Sequence, residues 1–305
     1  MPIKTVTSVL LVGLAAGLAG CGGGGGGGSP PPAPPEVPFT SFQAVQPNQT
    51  VVMPSSNALE ANGTATPLGT ITSATLGSPE WDASTVKLTY DSNRALSAFS
   101  IATPSSSVTF NNSPGNSLTC SSGICEGTTP TGSGVVVDGL AIGWNYQTFG
   151  IWAEAPTATS WVTGAISVGN PTPGSAVPIS GSATFNGVAA GLYVDIAGNV
   201  HGTAAQMTAN VDFQAQTIGF STSGTMVSDV NGMTYANSNL DLVGTTWHYP
   251  ASTNQFGGNL HTADNSLSGF ATGQFYGPSA QEIGGTYGLT GTGVSGMLGA
   301  FGGKR

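Results

Sequence analysis

Three imidazoles, His201, His248 and His261, are the groups in this 305-residue chain best suited to proton transfer near neutral pH. Serine and threonine hydroxyls are abundant, but a hydroxyl nucleophile needs such a base within hydrogen-bond reach, and no Gly-x-Ser-x-Gly elbow occurs. Gly291-Thr292-Gly293-Val294-Ser295-Gly296 matches Gly-x-Gly-x-x-Gly, yet only nine residues follow it. A dinucleotide fingerprint needs a helix there to hold the pyrophosphate, so these glycines read as sheet glycines. No His-Glu-x-x-His run or paired-carboxylate motif stands out, so no catalytic residue and no metal ligand set is assigned, and the chain reads as a non-enzyme. His248 stands between Trp247 and Tyr249, a setting that could give a flat apolar ligand such as haem an axial nitrogen. The alternative is a strand-end histidine with no ligand. His248 is therefore the candidate for cofactor binding, and no motif demands a cofactor.

The three cysteines do different chemistry. Lys4 and the apolar run Val6 to Ala19 make a leader too short for a permanent membrane helix, ending in Leu18-Ala19-Gly20-Cys21. That ending looks like a bacterial lipobox, in which small residues precede the cut and the Cys21 thiol is acylated; the alternative is an ordinary signal peptide with a chance cysteine. Gly22 after the cysteine, where an Asp would retain the protein, implies transport to the outer membrane. Residues 1–20 are thus expected to be a lipoprotein signal peptide. Residues 21–38, rich in Gly and then Pro, are expected to be the lipidated cysteine and a tether with little to bury. Cys120 and Cys125 enclose Ser121-Ser122-Gly123-Ile124 and read as a small disulfide in an oxidising compartment, with two reduced thiols as the alternative.

Composition narrows the rest. Charged residues make up 6% of the chain, and after removal of the leader Lys87, Arg94, Lys304 and Arg305 stand against fourteen carboxylates. No basic patch can form from four cations, so nucleic acid is not an expected partner. The scarcity of Glu, Lys and Arg beside abundant Gly, Ser, Thr and Asn disfavours helices and favours strands joined by many turns.

Those strands are legible to different degrees. Thr85–Tyr90 alternates, turns at Asp91-Ser92-Asn93, and alternates again from Ala95 to Ile101, which predicts a hairpin. Ser107–Phe110 leads toward the cysteine loop. Leu140–Tyr146 and Thr148–Trp152 read as a second, aromatic-rich pair with Trp161-Val162-Thr163 close behind. Trp144, Trp152 and Trp161 read as core, with a ligand groove as the alternative. Asn170 to Pro178 is the expected internal boundary. Beyond it Ala183 to Val194, Met207 to Phe213, Ile218 to Phe220, Leu240 to Trp247, Gly257 to His261, Gly269 to Tyr276, Gly284 to Leu289 and Leu289 to Phe301 make about eight meandering strands, enough to close a small barrel.

The fold class expected is therefore all-β. Phe275-Tyr276-Gly277-Pro278-Ser279-Ala280-Gln281-Glu282-Ile283-Gly284-Gly285-Thr286-Tyr287 sharpens it. Pro278 forbids a ladder hydrogen bond and ends one strand, and Gly284-Gly285 opens the next. The pattern Phe-Tyr-Gly-Pro-x-Ala-x-Glu-x-Gly-Gly-x-Tyr resembles the closing barrel signature of transferrin-binding-protein-B-like bacterial surface lipoproteins. The resemblance implies one lobe of that family: a β-rich handle domain at 39–180 followed by an eight-stranded antiparallel β-barrel at 181–305. It implies a cell-surface, outer-membrane lipoprotein that binds a host or environmental protein, or an iron or haem source, beside a TonB-dependent receptor. An adhesin or immune-evasion lipoprotein with no solute is the other reading.

Overall fold

A computed structural model describes residues 34–229 and 232–305. The leader, Cys21 and the tether up to residue 33 lie outside the described residues. Nearly all regular structure is strand, arranged in three layers.

The outer layer is a five-stranded sheet in the order Glu36–Pro38, Gln49–Val52, Thr85–Tyr90, Leu96–Ala102, Ser107–Asn111. The hairpin expected at 85–101 is its centre, and the buried–exposed alternation of Thr85–Tyr90 follows the apolar–polar alternation of the sequence. Glu36–Pro38, assigned from composition to the tether, instead forms an edge strand parallel to Gln49–Val52. An edge position tolerates a proline, and Phe39 directly after it is buried and bonds to Val52 O at 2.8 Å.

The middle layer is an eight-stranded sheet in the order Ile71–Leu76, Ser55–Ala65, Ser160–Gly169, Gln147–Thr157, Gly132–Val137, Ile124–Thr129, Ser117–Ser121, with Glu80–Trp81 paired to Ser55–Ala65. Both faces of its central strands are covered, and these accordingly read as apolar runs such as Phe149-Gly150-Ile151-Trp152, whereas the outlying strands Ile71–Leu76 and Ser117–Ser121 are mostly exposed. Trp152, Val136 and Ile166 pack toward the outer sheet with Leu88, Phe99 and Phe110. Phe149, Ile151 and Leu59 pack the other way, against Leu192, Leu298 and Ala300 of the third layer.

Leu140–Tyr146 is not a strand. A single α-helical turn spans Gly139–Ile142, capped by the Asp138 carboxylate, which accepts from Leu140 N at 3.1 Å. Gly143, at φ 75°, closes it in the left-handed region. The local cap outcompeted the apolar periodicity.

The third layer is a closed antiparallel barrel. Its strands are Ser182–Val194, Val200–Asp212, Thr217–Ser228, the interrupted pair Leu242–Gly244 and Trp247–His248, Gln255–Thr262, Ser268–Tyr276, Glu282–Thr290 and Gly296–Lys304. Each pairs with its neighbour, and Ser182–Val194 returns to Gly296–Lys304, which closes the ring. The stretch expected as one strand from Leu289 to Phe301 is two, separated by a turn at 291–295 in which Gly293 has φ 66°. Among the described residues no helix is long and apolar enough to cross a membrane.

Candidate binding surfaces

The barrel has no cup. Phe185, Phe213, Phe220, Trp247, Phe275 and Phe301 fill its interior together with Tyr249, Phe256 and aliphatic side chains. Phe220 stacks on Trp247 at 4.6 Å between ring centroids, and Trp247 on Phe256 at 6.1 Å. An eight-stranded barrel is just narrow enough for side chains to occupy it fully, and here aromatic rings do so. The lumen is thus occupied by the chain's own side chains.

Much of the barrel's outside is committed to the middle sheet. Asn57, fully buried, donates from Nδ2 to Thr272 Oγ1 at 3.0 Å and accepts on Oδ1 from Thr286 N and Oγ1 at 3.1 and 2.8 Å. Gln274 Nε2 donates to Ser55 Oγ at 3.1 Å, and the hydroxyls of Ser167 and Tyr276 lie 2.8 Å apart. The Glu282 carboxylate accepts from three consecutive amides, Asn145 N at 2.6 Å, Tyr146 N at 2.9 Å and Gln147 N at 3.0 Å. The barrel wall lies flush because it lacks side chains at the contact. A Cβ on Gly284 would sit 2.7 Å from Ser167 Oγ, and one on Gly288 would sit 2.7 Å from Leu76.

At one end the two layers splay apart. Between the sheet strands around Ala61–Leu76 and Ala153–Thr163 and the barrel segments 192–201 and 289–298 lies a groove of about 470 Å³. Trp161 stands along it, its indole N–H donating to Thr64 O at 3.2 Å. His201 also lines it. His201 Nε2 is 3.2 Å from Asp195 Oδ2, its ring stacks on Tyr193 at 5.7 Å, and its Nδ1 is buried with no hydrogen-bond partner. Asp195 is itself held by Ala197 N, Asn199 N and Asn199 Nδ2, each at 2.9 Å.

The same end carries four of the six exposed large apolar residues among those described; Ile179 (85%) precedes Ser182–Val194 at the opposite end, and Val243 (37%) is on Leu242–Gly244. Leu68 (94% exposed) is on the sheet hairpin at 66–70, Ile196 (70%) is on the barrel turn beside it, and Met233 (67%) and Tyr235 (45%) follow the strand Thr217–Ser228. The first two loops touch, with Ile71 N donating to Gly198 O at 2.9 Å.

Residues 177–305 match the family described as the C-lobe and N-lobe beta barrels of Tf-binding protein B. The barrel belongs to that family. Among solved structures, a mutant transferrin-binding protein B from Haemophilus parasuis Hp5 is 16% identical with a TM-score of 0.42, over 73% of this chain and 51% of that one. The isotype 1 transferrin-binding protein B from serogroup B Neisseria meningitidis is 15% identical with a TM-score of 0.42, over 82% of this chain and 43% of that one. The chain thus spans about half the length of the solved proteins it resembles. A comparison with curated proteins found no match.

In this transferrin-binding-protein-B-type barrel the signature residues are contacts between layers rather than a ligand site. Tyr276 reaches Ser167, Glu282 caps 145–147, and Gly284 clears the sheet surface. Gly277 has φ 84° and Ala280 φ 58°, so the corner between them needs the left-handed region twice. The structure does not gather the histidines. His248 is exposed on the barrel wall while Trp247 and Tyr249 point into the core, because neighbours on a strand face opposite sides. His261 is on the neighbouring strand Gln255–Thr262, and His201 is at the groove. Trp144 and Trp152 are buried, whereas Trp161 is partly exposed at the groove. Cys120 and Cys125 face each other in the hairpin Ser117–Thr129 and are disulfide-bonded. Among the described residues no cluster of three or more His, Cys, Asp or Glu is placed to hold a metal ion.

The sequence names His201 as an imidazole and a groove as the alternative for the tryptophans, but it does not single out Asn57 or the pairing of His201 with Asp195. The signal for Asn57 is a third polar residue in a row, after Ser55 and Ser56, in a strand that then runs Ala58-Leu59, apolar on both faces. For His201 it is the spacing Asp195-x5-His201 across a tight turn, which brings carboxylate and ring to one strand end.

Proposed function

We propose that this chain is a surface-exposed outer-membrane lipoprotein, anchored through acylated Cys21, that captures a protein ligand without catalysis. In this reading residues 1–20 are the signal peptide, 21–38 the anchor and tether with its last residues, Glu36–Pro38, joined to the outer sheet, 39–180 the handle and 181–305 the barrel. The ligand is a host or environmental protein, including iron carriers, passed to a TonB-dependent receptor in the same membrane. The observation that carries the reading is the concentration of Leu68, Ile196, Met233 and Tyr235 on loops at one end of the molecule. Large apolar side chains held in water by a rigid sheet scaffold mark protein-binding surfaces. The packed lumen supports it too, since it leaves the outer loops to do the binding.

The test is capture of purified transferrin, haemoglobin and serum proteins by the immobilised chain. Ile196→Asp, Met233→Asp and Tyr235→Asp together should abolish retention while far-ultraviolet circular dichroism is unchanged. Retention that survives the triple variant would sink the assignment of the surface. No retention by the unaltered chain would sink protein capture from these sources. A haemin titration showing a saturable Soret shift lost in His248→Ala would redirect the reading to haem.

A further inference from the structure

The groove between sheet and barrel is walled by the apolar members of alternating strands. Leu76, Ala153 and Trp161 face it from the sheet, and Leu192, Val200 and Leu298 from the barrel, all of them part of the cluster that joins the two layers. Their charged neighbours along the chain are turned or held elsewhere. Glu154 shares the face of Trp152, toward the outer sheet, where the hydroxyl of Ser106 donates to it. The ring of His201 stacks on Tyr193 and turns with it toward the barrel core. Asp229 accepts from Met233 N at 2.8 Å inside its own turn. Neither lysine nor arginine lines the groove.

The side-chain donors along the groove are already engaged. The Trp161 indole N–H donates to Thr64 O at 3.2 Å, the Thr163 hydroxyl donates to Trp152 O at 2.6 Å, and the hydroxyls of Thr157 and Ser160 lie 2.7 Å apart. A polar ligand would give up its hydrogen bonds to water and find these groups taken. The walls are also set before any ligand arrives. Gly63 pairs with Trp161 and makes room for its indole, since a Cβ there would sit 3.0 Å from Cζ2. The indole is therefore an aromatic plate, backed by a glycine and pinned at its N–H. Ile71 N, bonded to Gly198 O at 2.9 Å, ties the sheet hairpin to the barrel turn and fixes the spacing of the two walls. A preformed space of about 470 Å³ is within the range of small-molecule sites and costs little ordering to fill.

We propose that this groove binds an uncharged, apolar small molecule, a flat ring compound that needs no hydrogen bond from the protein. Its rings lie along Trp161 between Leu76 and Leu298, where aromatic and aliphatic walls offer contact area and no polar demand. Cations and anions are both rejected, because a charge in the groove would lose its hydration and meet no facing partner to offset the loss. The ligand is chemically distinct from the protein that the outer loops capture.

Fluorescence titration of the chain from residue 21 onward tests it, with Cys21→Ser so that neither leader nor acyl group competes for the probe. Two probes share one ring body: N-phenyl-1-naphthylamine is neutral, and 8-anilino-1-naphthalenesulfonate adds a sulfonate to it. The neutral probe should saturate one site at least tenfold more tightly than the sulfonate. Ala74 is an exposed position on the groove wall, in the edge strand Ile71–Leu76. Ala74→Phe should weaken the neutral probe at least tenfold, and the smaller intrusion Ala74→Leu at least threefold, with far-ultraviolet circular dichroism unchanged. Met233→Asp with Tyr235→Asp, outside the groove, should leave its binding as it was. Absence of saturable binding, sulfonate binding as tight as the neutral probe, binding unaffected by either Ala74 variant, or binding lost in the loop variant would each overturn the proposal. Protein capture is read separately, by retention, so either reading can fail while the other stands.

Discussion

Asn57 Oδ1 accepts both the amide N–H and the hydroxyl of Thr286, so one side chain of the middle sheet satisfies two donors of the barrel wall. Its Nδ2 returns a hydrogen bond to Thr272 on the adjacent strand, and the whole cluster is buried. Asn57→Ala should leave a buried N–H without a partner, at a cost of about 1–3 kcal/mol for that donor, plus the lost bond to Thr272. Denaturant unfolding should show a lower midpoint and, with the two layers uncoupled, a second transition. A midpoint equal to that of the unaltered chain would mean water replaces the amide.

That cluster shows what the sequence displays and what it withholds. Strand periodicity, turn residues and the signature at Phe275–Tyr287 are local, and they placed the eight barrel strands and the hairpin at 85–101. Contacts across 200 residues are not local. Nothing near Asn57 says that its partners are Thr272 and Thr286, and nothing near Trp161 says that the barrel stops short of it and leaves a groove. Leu140–Tyr146 failed for a different reason, since its apolar spacing suits a strand while Asp138 and Gly143 cap a helical turn. His248 was singled out by neighbours in sequence that the alternation of a strand sends to the opposite face.

Gln147 is fully buried, and neither its Oε1 nor its Nε2 has a partner among the described residues. It lies where the sheet meets Gly284 and Gly302 of the barrel. Replacement of an unsatisfied buried amide by an apolar side chain of similar length removes a desolvation cost. Gln147→Met should therefore raise stability by about 1 kcal/mol, measured as a shift in the denaturant midpoint at unchanged slope. A drop in stability would identify an ordered water bridging the amide.

Partial burial pushes the Asp195 carboxyl up, but hydrogen bonds from Asn199, His201 and Ala197 outweigh it and hold it below the ordinary value of 3.8. A group depressed in the folded state contributes stability above its unfolded value, and the contribution disappears as pH falls through the folded value. The turn at 195–199 should therefore stay closed through mild acidification and open only below pH 3.8. The Asp195 carboxyl carbon shift and the exchange rate of the Asn199 amide report this directly. A midpoint at or above 3.8 would contradict it. His201, released from Asp195 by Asp195→Asn, should lose its fixed ring orientation at the groove.

Glu282 is the one acidic residue between Asp264 and the C-terminus, and its carboxylate takes three successive amides, 145 to 147, at 2.6 to 3.0 Å. Those amides end the loop that leads from the helical turn at 139–142 into the strand Gln147–Thr157, so the barrel side chain terminates a sheet loop. Glu282→Gln keeps one oxygen but turns an NH₂ toward N–H donors. Glu282→Ala leaves all three without this acceptor. Charge-assisted bonds are about twice as strong as neutral ones, so loss of the carboxylate should be felt in both variants. Glu282→Gln should cost about 1–2 kcal/mol and Glu282→Ala about 3 kcal/mol or more, by denaturant unfolding. Hydrogen exchange should quicken first at 145–147 and only afterwards in the barrel strands. Equal stability of the two variants would show that the loop holds itself, and that the glutamate of the barrel signature serves something other than docking.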